Sequence, residues 1–315
     1  MTLPKQVPNN DSSKTTLAIH EQLNSIVLGN KNVNRLALCC VLAGGHLLLE
    51  DIPGVGKTTL AHGIAKTLGL EFNRVQFTSD LLPTDLIGVS IYDPNKQQFN
   101  FQEGPLFTSV LLADEINRAS PKTQSALLQA MEEKRVSIDT TTRDLDSPFF
   151  VIATQNPLEQ SGTFPLPESQ LDRFLMRLSL GYPDQESELS LLQNSRPYTS
   201  DEVSSLLNPN GVLELMESVN QVHCSDAIVS YLHSLLLATR SNVNFVNGLS
   251  PRAGLQWIQA SRAWAFLEQR DFLIPEDIQA VAIAVAVHRL QPLSGNSQNS
   301  SLSAFEKILQ ETPIS

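Results

Sequence analysis

Long apolar runs are missing from this chain of 315 residues: nothing in it approaches the roughly 20 residues a helix needs to cross a bilayer. The leading residues, MTLPKQVPNNDSSKTT, also lack the hydrophobic stretch of a secretion signal. Cysteine is scarce. Cys39, Cys40 and Cys224 are an odd number without metal-binding spacing, which points to reduced, buried thiols in a cytoplasmic protein. Positive charge is short as well: 22 Lys and Arg stand against 33 Asp and Glu, a net charge of −11. With no sustained basic run and no aromatic–basic interleaving, a general nucleic-acid surface is disfavoured. His223, His233 and His288 have no i, i+4 partner of metal-binding type and read as surface or core residues. Internal repeats and low-complexity tracts are absent too. With 41% apolar and 17% charged residues, what remains is a globular chain long enough for two domains or one large one.

The most informative stretch that is present runs from residue 46 to 58, HLLLEDIPGVGKT. An apolar run ends at Glu50, and a turn follows that holds Pro53, Gly54, Val55, Gly56, Lys57, Thr58 and Thr59. Beyond it, Leu60, Ile64 and Leu68 recur four apart on one helical face. Strand, glycine turn and helix are the setting of a phosphate-binding loop. There Gly54 and Gly56 let the backbone aim N–H groups inward, and the helix start adds its positive dipole end. Lys57 would reach the β- and γ-phosphates and the Thr58 hydroxyl would ligate Mg2+. The usual pattern, G-x-x-x-x-G-K-[ST], has glycine where this chain has Asp51. A glycine-rich turn with an exposed lysine is the bland alternative.

Further apolar runs at 74–77, 109–114, 149–155 and 174–180 alternate with helical patterns, which implies a parallel sheet covered on both faces. Such sheets bind ligands beyond the carboxyl ends of their strands. Two alternating segments around Asp93-Pro94-Asn95 predict a hairpin within 87–107, and a weaker one is expected over 139–146. Helices are expected over 16–28, 32–42 and 121–133, the last with Ser120 as N-cap and Pro121 in its first turn. After Gly181-Tyr182-Pro183 the apolar strands stop, and helices are predicted over 185–193, 212–221, 226–240, 251–269 and 275–289. The chain thus divides into a mobile leading segment (1–15), an αβα core (16–183), a helical lid (184–290) and a linker with a terminal tail (291–315), in which a short helix can follow the polar stretch 291–299. Trp257 and Trp264, seven apart, are expected in the core of the lid.

Ser109 to Asp114 reads as a buried strand closed by two carboxylates, Asp114 and Glu115. Burying such a pair without partners is costly, so a metal, water or cations should meet it. Asp114 would hold the Mg2+ shell and Glu115 would polarise an attacking water, although Asp-Glu after a strand also opens turns. Asn156 closes a third strand, where its amide can orient water or contact the γ-phosphate, or simply cap before Pro157. Arg173, just ahead of an apolar strand, suits charge building on a transferred phosphoryl group and can come from a neighbouring molecule. A surface pair with Asp172 or Glu168 is the alternative. Arg252 stands in the first turn of a helix, where a cation is disfavoured, and this hints at an anionic partner.

Together these blocks resemble the MoxR family of AAA+ ATPases. GGHLLLEDIPGVGKT is similar to the family's Walker A, including the acidic residue at the first glycine position. EGPLFTSVLLADEINRASPKTQSALLQAMEE resembles its Walker B block, VIATQNPLEQSGTFPLPESQLDRF its sensor 1 and arginine-finger stretch, and LSPRA its sensor 2. The likeness spans about residues 21 to 290. It implies a P-loop αβα sandwich with a parallel sheet, a helix-2 insert formed by the 87–107 hairpin, and a helical lid. It implies that Lys57 and Thr58 bind phosphate and Mg2+, that Asp114 coordinates Mg2+ and that Glu115 is the catalytic glutamate. Asn156 matches sensor 1, Arg173 the finger acting in trans and Arg252 sensor 2, while adenine would lie near Val27, Leu28 and Gly29. Arg118 is a second candidate for action across a subunit boundary. From the resemblance follow ATP and Mg2+ as ligands, a hexameric ring and a lid that swings with the nucleotide state. Chaperone-like remodelling of protein complexes, with a separate partner carrying a von Willebrand A domain, follows as well. A nucleotide-dependent scaffold or switch with little turnover, or a relative acting on DNA or in metal-chelatase assembly, are the alternatives.

Overall fold

The computed structural model describes residues 10–138, 141–157, 162–193, 203–293 and 298–314. In chain order, α1 (Asn10–Ile26) and α2 (Lys31–Leu42) lead into β1 (Leu47–Glu50), α3 (Lys57–Leu68) and β2 (Phe72–Gln76). A short α4 (Pro83–Ile87) precedes the hairpin of β3 (Gly88–Asp93) and β4 (Gln98–Glu103). Next come β5 (Val110–Asp114), a 3-10 turn over Ile116–Arg118 and α5 (Pro121–Glu133). A second hairpin, β6 (Arg135–Ile138) and β7 (Thr141–Asp144), is followed by β8 (Phe150–Gln155), α6 (Glu168–Leu171) and β9 (Met176–Leu178). The remaining described elements are helical: α7 (Gln185–Gln193), α8 (Pro209–Asn220), α9 (Asp226–Ser241), α10 (Pro251–Leu267), α11 (Pro275–Ala286), a 3-10 turn over Val287–Arg289 and α12 (Gln298–Glu311).

Five strands form one parallel sheet in the order β2-β5-β8-β1-β9. Their side chains alternate between two cores, as a strand period of two demands. Leu47 and Leu49, Val110 and Leu112, and Phe150 and Ile152 face one core. Leu48, Leu111, Ala113, Val151 and Ala153 face the other. Both faces are covered, which is why these strands read as continuous apolar runs. The exception is β2, an edge strand with half-buried and exposed residues. It occupies Phe72–Gln76 rather than the expected 74–77, because edge pairing with β5 and not apolar content sets its limits.

The first core does not stop at the sheet but continues through α1, α2 and α3 into the helices of the lid. Cys39 and Cys40 are fully buried in it, and the Cys39 thiol lies 3.2 Å from the Ala260 carbonyl of α10. Burial pushes both thiols up in pKa. A swing of the lid must therefore shear shared apolar packing. Trp257 is fully buried inside the lid, its indole N–H donating to the Ile278 carbonyl. Trp264 departs from expectation. Seven residues carry it about 10 Å further along the helix, to where α10 meets α2, and there the Arg35 guanidinium lies 4.7 Å from its ring centroid.

Within the segment expected as linker and tail, α12 buries Ser301, Phe305 and Ile308, with the Phe305 ring 5.8 Å from that of Trp257. Spacings of four and three place these residues on one helical face, and the lid interior covers that face. At the other end α1 starts at Asn10 rather than Thr16 and stops at Ile26, before Leu28. Residues 1–9 of the expected leading segment, 139–140 of the second hairpin, 158–161 of the stretch compared with sensor 1 and the arginine finger, and 294–297 of the linker lie outside the described residues.

His46, just ahead of β1, shows what this burial does to a titratable group. Its Nδ1 accepts from the Val151 N–H (3.0 Å), so its Nε2 donates to the Met131 carbonyl (3.1 Å). Burial lowers its pKa from 6.5 to about 4. Burial is also the main reason that His288 sits well below 6.5. A histidine kept neutral in the fold but protonated when unfolded contributes stability that is complete above pH 6.5 and is lost as pH falls toward 4. The melting temperature is expected to drop across that window, and to drop less steeply in His46→Asn. A melting temperature flat between those two pH values would contradict a neutral, buried His46.

Candidate nucleotide site

The loop between β1 and α3 has the shape of an anion cradle. Gly54 (φ +86°) and Gly56 (φ +99°) are both left-handed, while a side chain at either would meet nothing within 4 Å. Backbone sign, not crowding, requires glycine here. Gly56 is the N-cap of α3 and makes no side-chain cap bond, so the N–H groups of the first turn face outward from the helix start. The Lys57 ammonium reaches back over the loop and donates to the carbonyls of Asp51 (2.6 Å) and Ile52 (3.2 Å). Pro53 and Thr59 are exposed, and Val55 and Thr58 are half-buried.

Two strands away in the sheet, about 10 Å by strand spacing, β5 ends in Asp114 at the same carboxyl edge. Asp114 is buried and its oxygens are committed: Thr154 donates to Oδ1 (2.6 Å) and Arg74 to Oδ2 (2.6 Å). Glu115 follows in a left-handed conformation (φ +55°), rare for a side chain of its kind. Its N–H donates to the Thr154 hydroxyl (2.9 Å), and its Oε2 accepts from Gln76 (2.8 Å) and from Arg118 (2.9 Å). Asn156, also buried, closes β8 between these strands and β1. Phosphate loop, paired carboxylates and strand-end amide therefore share one edge. Hard oxygen ligands from a hydroxyl and a carboxylate suit Mg2+, which takes its remaining ligands from water and phosphate. Such a site needs no dense cluster of protein ligands, and none of three or more His, Cys, Asp or Glu occurs among the described residues.

Val27, Leu28 and Gly29 line a cleft together with Val55 of the loop and Gly181 and Pro183 beyond β9. Gly29 (φ +119°) comes so close to Pro183 that a Cβ would lie 3.3 Å from its Cα. Val55 brings this narrow, half-apolar cleft up against the phosphate loop.

The arginines separate into two groups. Arg118 pairs with Glu115 of its own chain. Arg173 and Arg252 instead converge on Glu132, one guanidinium on each carboxylate oxygen, both at 3.0 Å. Glu132 lies in the last turn of α5, beside Met131, whose carbonyl meets His46 at the start of β1. The pair therefore stands at the amino edge of the strands, the length of β1 or about 13 Å from the chain's own phosphate loop. Each of these half-exposed ion pairs contributes about 0–1 kcal/mol, so the arginines are held weakly. The anionic partner expected for Arg252 is Glu132. The alternative pairing of Arg173 with Asp172 or Glu168 does not occur, because Asp172 is taken by Arg289 (2.8 Å).

Several functional neighbours escaped sequence reasoning. Arg74 and Gln76 sit on one face of an edge strand whose register against β5 no local pattern reveals. Thr154 belongs to a polar run, Thr154-Gln155-Asn156, at the end of an apolar strand, and that run was a usable signal. Arg289 is almost fully buried and ties Asp172 and the Phe174 carbonyl (2.7 Å) to Gln256 of α10. Burial lowers its pKa to about 10 despite the carboxylate of Asp172.

A parallel sheet with a phosphate loop after β1, carboxylates after β5 and a helical lid defines an AAA-type nucleotide-binding ATPase fold. Residues 46–176 match the model of the ATPase family associated with various cellular activities (AAA), and residues 237–311 match the AAA lid domain. The chain belongs to the MoxR family of AAA+ ATPases. It is 40% identical to chaperone MoxR1 of Mycobacterium tuberculosis, over 85% of this chain and 74% of that one. It is 44% identical to the uncharacterised protein YeaC of Bacillus subtilis, over 86% and 85%. The crystal structure of a candidate ATPase from Cytophaga hutchinsonii superimposes with a TM-score of 0.87 at 38% identity, covering 96% of both chains. No helix among the described residues is long and apolar enough to cross a membrane.

Proposed function

We propose that this protein hydrolyses ATP with Mg2+ in a ring of identical subunits, six by family resemblance, and uses the cycle to remodel protein complexes. One observation carries the reading: the carboxylates and the phosphate loop lie at one edge of the sheet, while Arg173 and Arg252 are paired at the other. A complete phosphate site then needs the loop edge of one copy and the arginine edge of the next. Head-to-tail contacts of that kind close into rings.

In this reading residues 16–183 form the nucleotide-binding core, and 184–290 with α12 form the lid. The backbone from Pro53 to Thr59 and the Lys57 ammonium hold the phosphates, and the base lies by Val27, Leu28 and Gly29. Thr58 and Asp114 would hold Mg2+, which supplies charge neutralisation at the β- and γ-phosphates. Glu115, released from Gln76 and Arg118, takes a proton from the attacking water that Asn156 orients. Arg173 and Arg252 of the neighbour, exchanging Glu132 for phosphate oxygens, stabilise the charge that builds as the bond breaks. Likeness to chaperone MoxR1 supports the remodelling role. The family resemblance supports a von Willebrand A domain protein as partner, and unbridged cysteines, Cys39 and Cys40 buried and Cys224 half-buried, suit the cytoplasm.

The test is ATP turnover measured against protein concentration, with mass by light scattering in parallel. The rate per subunit is expected to rise as a large ring assembles. A monomer that turns over at the same rate at every concentration would exclude shared sites.

A further inference from the structure

Asp51 stands where phosphate-binding loops carry their first glycine, and a carboxylate there would repel the ligand if it faced the loop. It does not. The side chain is buried and turned away from α3, with its Oδ1 accepting the Ile52 N–H (2.9 Å). Its Oδ2 accepts two donors from just beyond the adjacent strand β9, the Ser179 hydroxyl (2.9 Å) and the Gly181 N–H (2.8 Å). Ser179 and Gly181 belong to the strap that leaves β9 for the lid, and Gly181 lines the cleft that Val55 of the loop closes from the opposite side.

From this we infer that Asp51 is a positioning residue: its carboxylate is the strut that fixes the strap from β9 to the lid against the phosphate loop and so sets the width of the base cleft. The inference rests on the nucleotide site proposed above and deepens it. Three geometric facts support the strut. The two ends it joins, 128 and 130 residues apart in sequence, meet just past the last β1–β9 pair, Leu49 with Leu178, so the carboxylate takes over where the strand ladder ends. Both Oδ2 contacts are charge-assisted, the stronger kind of hydrogen bond. Gly181 is left-handed (φ +66°) at the point of contact, so the strap turns just where the carboxylate grips it. The Asp51 main-chain carbonyl meanwhile receives Lys57. Truncating the side chain thus leaves the Lys57 contact in place and removes the grip on the strap together with the local Ile52 N–H contact.

The experiment compares two probes on the full-length protein with Mg2+: ADP, which carries a base, and inorganic tripolyphosphate, which does not. Dissociation constants are measured by calorimetry for the parent, Asp51→Ala, Ser179→Ala and the double variant. Loss of the charge-assisted contacts should weaken ADP about tenfold in Asp51→Ala, with tripolyphosphate changed less than about twofold on the same scale. Ser179→Ala, at an exposed position that tolerates the change, should weaken ADP by about twofold to threefold, and the double variant should be no worse than Asp51→Ala because both remove one strut. Equal weakening of both probes in Asp51→Ala would overturn the inference, since Asp51 would then only shape the loop. So would unchanged ADP binding, or additive effects in the double variant. If Asp51→Ala does not fold, Ser179→Ala decides alone, and unchanged ADP binding there overturns the strut. A parent that binds neither probe would defeat the nucleotide site itself, a result separate from all of these.

Discussion

Glu115→Gln is expected to lower ATP turnover by about 10²–10⁴-fold, the span of general-base contributions, while ATP binding stays within about twofold of the parent. The reason lies in where Glu115 stands. It follows β5 in a left-handed turn, pinned by its own N–H to Thr154, and Thr154 also donates to Asp114. Replacing the carboxylate by its amide keeps size and backbone but removes the only function asked of the group, acceptance of a proton. The variant also changes the contacts to Gln76 and Arg118, which hold the side chain in the nucleotide-free arrangement. Both are exposed or half-exposed pairs, so losing them should leave the fold intact. Steady-state hydrolysis and equilibrium ATP binding on one preparation make the test. Turnover at the parental rate would remove Glu115 from the role of base, and loss of binding would mean that the carboxylate shapes the ligand site instead.

Arg173→Ala should bind ATP and lose about 10³-fold or more of its turnover, the scale of an arginine that reaches a phosphoryl group from a neighbour. Its position makes a sharper claim. Arg173 and Arg252 share Glu132 at the amino edge of the strands, so in the proposed ring they serve the loop of the neighbouring copy. Lys57→Ala has the opposite defect: it should fail to bind nucleotide yet still present both arginines. Mixing the two inactive proteins should restore part of the activity, since an Arg173→Ala loop would then meet an intact arginine edge. Arg252→Ala should be rescued by the same partner. Mixtures of Arg173→Ala with Arg252→Ala, by contrast, should recover little, since each edge lacks one arginine. No rescue at any ratio would place the arginines' action within one chain and count against the shared site.

The sheet was legible in the sequence because parallel strands covered on both faces leave a local trace, an apolar run of four to six residues. Asp114 and Asn156 were legible because strand ends are where such runs break into polar residues. What failed was whatever depends on a second element at long range. The half-exposed edge strand β2 carries no such run, so the roles of Arg74 and Gln76 opposite the carboxylates stayed hidden until the register was known. The short helix expected near the chain's end is α12, and only packing showed that Ser301, Phe305 and Ile308 are buried.

The sequence by itself determined the glycine turn after β1 and the carboxylate pair after β5, each encoded within a dozen consecutive residues by backbone preference and side-chain period, and, through blocks spread over about residues 21 to 290, the family. The tertiary structure alone decided which groups meet. It set Arg173 and Arg252 together on Glu132, and it turned the Asp51 carboxylate toward Ser179 and Gly181. Contacts between residues distant in sequence are fixed by how the layers pack, and no local propensity carries that information.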